Sequence, residues 1–227
     1  MTFADAITRL ESALHIELPG AAGQARMAPV PRREWPKGFN IARVRHAAGL
    51  LLVFPAAEND EASPSSQSSQ SAQSSRPSRS LRPLRSRSDA HVVLTVRGET
   101  PRHAGQVSLP GGVVEPGETF EQAALREAHE EIALDASQVR VLGALTPLDI
   151  PVSGFRLYPI VAASETRPHL RPADGEVAHI LEVAIEDLLD ARAVRHTTRE
   201  REGIELTVPA FHVASHEIWG ATAMVIA

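Results

Sequence analysis

The stretch Gly111–Leu134, GGVVEPGETFEQAALREAHEEIAL, gathers the carboxylates of Glu115, Glu118, Glu121, Glu127, Glu130 and Glu131 behind two glycines. Thr119 is a good helix N-cap, Gln122 three residues on completes a capping box, and Pro116 with Gly117 breaks the chain just upstream. A helix is therefore expected from Phe120. At about 100° per residue, positions i, i+3 and i+4 share a face, which groups Glu127, Glu130 and Glu131. Leu125, Ala128 and Ile132 turn elsewhere, towards a core. Like charges at this spacing weaken an isolated helix by about 0.2–0.5 kcal/mol per pair, a cost that a bound cation offsets. Magnesium or manganese fits best, because hard cations take oxygen ligands and bridge carboxylates to phosphates. A charge run is usually a solvated face. Here it comes with a Gly-rich turn and an arginine at fixed offsets, and that combination points to a site for diphosphates.

This segment resembles the Nudix box, which runs G, five residues, E, seven residues, R-E-U-x-E-E-x-G-U with U aliphatic. Gly112, Glu118, Arg126, Glu127, Glu130 and Glu131 match it, with Ala128 and Leu134 at aliphatic positions. Ala133 stands where the family has Gly, a change that is mild if the helix end needs no left-handed turn. The resemblance implies that Glu127, Glu130 and Glu131 ligate Mg2+ or Mn2+ together with the backbone carbonyl of Gly112. It also implies that Arg126 and Glu118 are structural supports and that the reaction is metal-assisted hydrolysis of a nucleoside diphosphate derivative.

The preceding segment, Leu94–Gly112, reads LTVRGETPRHAGQVSLPGG. It resembles the extra motif of the coenzyme A diphosphatase subgroup, roughly L-T-x-R-S-x-x-L-R-x-H-x-G-Q-V-x-F-P-G-G, with one residue deleted between Arg102 and His103. Leu109 replaces the usual Phe and Gly98 the small hydroxyl residue. Two arginines beside a metal site suit an anionic ligand, since guanidinium forks match phosphate oxygens. Arg97, Arg102 and Gln106 are the substrate-binding candidates. A surface role for either arginine alone is equally compatible, and His103 is a minor candidate whose usual role would be packing.

Downstream, Ile150-Pro151-Val152-Ser153-Gly154-Phe155 with Tyr158-Pro159 resembles the family's Ser-Gly loop, which adds Ser153 to the substrate-binding candidates. Asp174-Gly175-Glu176-Val177 resembles a region that supplies a further acidic residue. Glu176 is thus a candidate ligand or general base, alongside the alternative of a solvated turn residue. Ile218–Ala223 resembles the subgroup's near-terminal segment, with Trp219 read as core.

At 227 residues, 43% hydrophobic and 4% aromatic, the chain can bury one aliphatic core. A net charge of -5 argues against general nucleic-acid binding, and the absence of cysteine excludes disulfides, thiolate metal sites and Cys nucleophiles. No basic leader or apolar span is present, so a cytoplasmic enzyme with a small nucleotide substrate, no membrane partner and room for a homodimer is expected. The fold class expected is α/β, a mixed β-sheet sandwiched between helices as in the Nudix fold.

Residues 1–40 read as an N-terminal helix, Thr2 to Leu14, and a Gly- and Pro-rich extended connector from Pro19 to Gly38; residues 41–227 read as the catalytic domain. Strands are predicted at Gly49–Phe54, His91–Val96, Val139–Leu145, Leu157–Ala162, Ile180–Ala184 and Ile204–Val208, with a last helix from Ala221 to the end at Ala227. A Ser/Arg-rich insertion at about 61–89 is predicted to be disordered, since it buries too little apolar surface to offset its ordering entropy. Its arginines, Arg76, Arg79, Arg82, Arg85 and Arg87, read as a solvated tether before a polyanion contact. The resemblance leaves three readings of function. They are cleavage of coenzyme A or acyl-CoA to 3′,5′-ADP and 4′-phosphopantetheine or its acyl form, cleavage of ADP-ribose, NADH or a related compound, and nucleotide sensing without turnover.

Overall fold

The computed structural model describes residues 1–56, 89–98, 105–173, 175–201 and 203–227, so the insertion, apart from Asp89, lies outside the described residues, as do Arg102 and His103. Helix α1 (Phe3–Leu14) is capped by Thr2, whose side chain accepts from the Asp5 N–H. A short α2 (Ala21–Ala25) then interrupts what the sequence predicts as a fully extended connector. Its five residues are mostly alanine, the best helix former, which is enough for one turn between Pro19 and the prolines that follow.

The central sheet is built on β1 (Arg45–Pro55), β2 (Ala90–Arg97) and β7 (Phe155–Ala163). Strands β3 (Val107–Ser108), β4 (Gly111–Val113), β5 (Arg140–Ala144), β6 (Leu148–Ile150) and β8 (Val177–Ala184) complete it. Among the described residues it has eight strands in the order β3-β2-β1-β7-β5, with β4 on β1, β6 on β7 and β8 on β2. Only β1 and β7 pair in parallel, so the sheet is mixed. The apolar runs of β1 and β2 follow from burial on both faces, the usual reason a strand loses its alternation. Pro159 lies in β7 where its antiparallel partner changes from β6 to β5, so its missing N–H falls at a junction.

On one face the even-numbered β1 residues Ala48, Leu50, Leu52 and Phe54 pack with Val93, Ile160 and Ala162 under helix α3 (Phe120–Ile132). The inner stripe of α3 is Ala123, Ala124, Ala128 and Ile132, whose small side chains bring the helix close to the sheet. Full burial of a side chain such as Leu50 or Phe54 contributes about 1.5–3 kcal/mol.

The opposite face is covered by α1 and by a C-terminal unit. That unit comprises α4 (Ile185–Leu189), a three-stranded antiparallel sheet of β9 (Val194–Arg201), β10 (Ile204–Val213) and β11 (His216–Trp219), and α5 (Gly220–Ile226). Ala6, Ile7, Val53, Val92, Leu94, Phe211, Ile218 and Met224 share this second core. The architecture is thus α/β with helices on both faces, and a small second sheet joins the layer that the sequence assigns to helices alone.

Candidate active site

Strand registers bring the candidate residues to one end of the sheet. The start of β1 pairs with β4, Ala48 opposite Gly112, while the parallel β7 begins beside Arg45. Antiparallel β2 ends at Arg97, opposite Val177 of β8, at that same end. Gly112, Arg97, Gln106, Glu176 and the Ser153 turn therefore share an edge, over which α3 lies.

Helix α3 starts as the sequence predicts. Thr119 accepts from the Gln122 N–H at 3.2 Å, and the Gln122 side chain accepts from the Thr119 N–H at 2.9 Å. One guanidinium organises the glutamates. Arg126 Nε donates to Glu118 Oε1 at 2.7 Å and Nη2 to Glu118 Oε2 at 3.1 Å, a bidentate pair. Its Nη1 donates to Glu127 at 3.0 Å and to Glu130 at 3.1 Å, and Nη2 also reaches the Val113 carbonyl at 3.0 Å. Arg126 is held above its ordinary value, chiefly by Glu118. Glu118 is in turn held below the usual carboxylate range by Arg126 and then by the Glu115 N–H.

The three box glutamates differ in setting. Glu131 is buried, 7% exposed, and accepts from the Gly111 N–H at 3.2 Å. Glu127 is largely buried, and burial raises its pKa despite the nearby Arg126. Glu130 is half exposed. The two glycines are required by close approach. A β-carbon at Gly112 would stand 2.5 Å from the Glu127 carboxylate carbon, and one at Gly111 would stand 2.2 Å from the Ala48 carbonyl oxygen.

Helix α3 ends at Ala133 in the left-handed region, φ 54° and ψ 34°. The condition under which the sequence reads the Gly-to-Ala departure as mild is therefore not met, because a β-carbon is strained there. The Ala133 N–H bonds to the His129 carbonyl at 2.9 Å and His129 Nδ1 donates to the Leu134 carbonyl at 2.9 Å. The last carbonyls of the helix are also satisfied. Glu131 O accepts from the Ala173 N–H at 3.0 Å and Ile132 O from the Arg171 N–H at 3.1 Å, which ties the segment leading to Glu176 onto the helix end.

Glu176 is exposed, and its carboxylate pairs with Arg97 Nη2 at 3.3 Å while its carbonyl accepts from the Gly98 N–H at 2.7 Å. Arg97 Nε is buried and has no hydrogen-bond partner among the described residues. The Gln106 carbonyl accepts from the Arg97 N–H at 3.0 Å, which joins the end of β2 to the approach to β3. Ser153 donates to the Ile150 carbonyl at 3.3 Å, and its own carbonyl accepts from Arg45 at 3.2 Å, so it organises the turn before β7.

An aromatic cluster that the sequence reading passes over lies at this edge. Phe120 stacks on Tyr158 with centroids 3.6 Å apart and planes 8° apart, and His46 stands edge-on to both. The parity of His46 with Ala48 on β1, and of Tyr158 with Ile160 on β7, is the signal that places these rings on the helix face. A cleft of about 150 Å³ between β1, β4 and α5 borders Gly111 and Gly112.

Chemically, the donor set fits a hard divalent cation. All side-chain donors are carboxylate oxygens, the Gly112 position leaves space only because it lacks a β-carbon, and Glu127 is a largely buried carboxylate that a cation would stabilise in its ionised form. Among the described residues, no three acidic or imidazole side chains converge on a shared ligand position; Arg126 instead spans Glu127 and Glu130. Also among them, no helix is long and apolar enough to cross a membrane.

A family model described as the NUDIX domain matches residues 76–204. Proteins named uncharacterized Nudix hydrolase NudL from Yersinia pestis (strain Pestoides F) and Yersinia pseudotuberculosis (serotype O:1b, strain IP 31758) are 37% identical over 142 residues, 62% of this chain and 71% of theirs. Among solved structures, the M. smegmatis Nudix hydrolase RenU aligns with 25% identity and a TM-score of 0.45, over 65% of this chain and 74% of RenU. A C. elegans Ap4A hydrolase aligns with 18% identity and a TM-score of 0.43, over 64% of this chain and 84% of that one. The box glutamates around Arg126, the length of the family match and the shared sequence with NudL together make this chain a member of the Nudix family of hydrolases.

Proposed function

We propose that this Nudix hydrolase cleaves the diphosphate of coenzyme A or acyl-CoA, giving 3′,5′-ADP and 4′-phosphopantetheine or its acyl form. The observation that carries the reading is Arg97: a guanidinium whose buried Nε has no partner among the described residues, at the sheet end shared with Gly112, inside a segment that resembles the coenzyme A diphosphatase motif. A buried donor without an acceptor costs about 1–3 kcal/mol, and a phosphate oxygen would satisfy it. In this reading Glu127, Glu130, Glu131 and the Gly112 carbonyl hold Mg2+ or Mn2+. The cation supplies charge neutralisation of the diphosphate and lowers the pKa of the attacking water. Arg126 and Glu118 fix the carboxylates in place. Arg97, Gln106 and Ser153, with Arg102, orient the substrate, and Glu176 accepts the proton of the attacking water.

The test is to incubate the protein with Mg2+ or Mn2+ and coenzyme A, NADH, ADP-ribose or nucleoside triphosphates, and to identify products by mass. Release of 3′,5′-ADP as the preferred product supports the proposal. A preference for ADP-ribose or NADH overturns the coenzyme A reading, and no turnover of any substrate replaces it with a nucleotide sensor. Glu130→Gln is expected to lower turnover by orders of magnitude with the fold intact.

A further inference from the structure

We infer that His179 and His216 form a second metal site, a two-imidazole chelate for a borderline transition metal such as Zn2+, separate from the carboxylate helix. His179 is on β8 of the central sheet and His216 opens β11 of the small sheet, yet their Nε2 atoms stand 3.1 Å apart. Two nitrogens at about 2.0–2.1 Å from one zinc, subtending an angle between a right angle and the tetrahedral one, are separated by roughly 2.8–3.4 Å.

His216 is oriented for this role. Its Nδ1 is 2.7 Å from the Ala214 carbonyl, an acceptor only, so Nδ1 carries the proton and the Nε2 lone pair faces His179. A backbone carbonyl behind the ligating imidazole is the usual way that a protein fixes tautomer and ring direction. The turn that supplies this carbonyl is strained, since Ala214 (φ 48°) and Ser215 (φ 63°) both adopt positive φ where Asn-Gly would be at ease.

Without metal, His179 donates its Nε2 proton to His216. When the ion binds it takes the place of that proton, and His179 keeps its neutral charge by carrying hydrogen on Nδ1. Glu217 is not a third ligand, because it faces the other side of β11 and pairs with Arg199 at 2.5 Å. Water completes the coordination at the exposed His179. With no cysteine in the chain, imidazole is the side chain suited to such metals. The ion would join the small sheet to β8 two residues beyond Val177, the partner of Arg97.

The experiment is calorimetric titration of Zn2+ into the full chain under saturating Mg2+, with thermal melts and size-exclusion chromatography alongside. A Zn2+ binding phase with a rise in Tm is expected in the wild type and in Glu130→Gln, and its loss in His179→Asn, an exposed position that tolerates change. His216→Gln is expected to lose it as well. Mg2+-dependent turnover in His179→Asn should match the wild type. An unchanged Zn2+ phase in His179→Asn overturns the site, and so does a Zn2+-induced dimer, which would mean that the imidazoles bridge two copies.

Discussion

Gly112 and Glu127 meet with no room for a side chain between them: a β-carbon on Gly112 would stand 2.5 Å from the Glu127 carboxylate carbon. The contact is to a side chain, so Gly112→Ala displaces the carboxylate without breaking the strand. Turnover is expected to fall by about 10²-fold or more, the usual effect of a 1 Å misplacement, with Tm nearly unchanged. Gly111→Ala meets the Ala48 backbone and is expected to lower Tm instead. Paired kinetics and melts separate the two.

The guanidinium of Arg126 shares its donors among Glu118, Glu127, Glu130 and the Val113 carbonyl. A lysine keeps the charge and loses the fork. Arg126→Lys is expected to reduce activity or Mg2+ affinity by roughly 10–100-fold, the effect that follows from the proposed role of Glu127 and Glu130 as metal ligands. A metal titration of the rate measures it, and an unchanged Mg2+ dependence would show that the fork is dispensable.

Ala133 holds a left-handed conformation that disfavours a β-carbon by about 1–2 kcal/mol. Once the entropy glycine loses on folding is subtracted, Ala133→Gly is expected to recover about 0.5–1 kcal/mol and to raise Tm by about 1–4 °C. Differential scanning calorimetry gives the value, and a lower Tm would show that the helix end is relaxed as it stands.

Asp149 and Arg156 face each other across β6 and β7 with bonds of 2.7 and 3.1 Å, and the Arg156 bond holds the Asp149 carboxyl below its ordinary value. A depressed folded pKa contributes stability that is present above the ordinary carboxylate value and is lost as pH falls through the depressed one. Asp149→Asn should therefore be less stable than wild type at neutral pH and converge with it in acid. Solvent reaches both side chains, so the gap is under about 1 kcal/mol. Urea melts at both pH values test the sign, and a gap that widens in acid refutes it.

The parts of the fold legible in the sequence were those written in local chemistry. The capping box at Thr119 starts α3, and the short apolar runs of β1, β2 and β7 announce strands. What escaped was decided at a distance. Strand β9 reads VRHTTRER, polar enough to pass for a loop, and is held by β10. β3, β4 and β6 are two or three residues long, too short to show a period. The glutamates of the site were visible as a spacing, whereas the pairing of Arg97 with Glu176 and the ring stack of Phe120 on Tyr158 join residues far apart in the chain.

The last carbonyls of α3, on Glu131 and Ile132, are capped by amides of Ala173 and Arg171. Those two amides belong to an irregular segment, yet they open only when the helix end does. Their solvent exchange should keep time with the helix, so the stretch approaching Glu176 behaves in hydrogen exchange as a further turn of α3 in all but geometry.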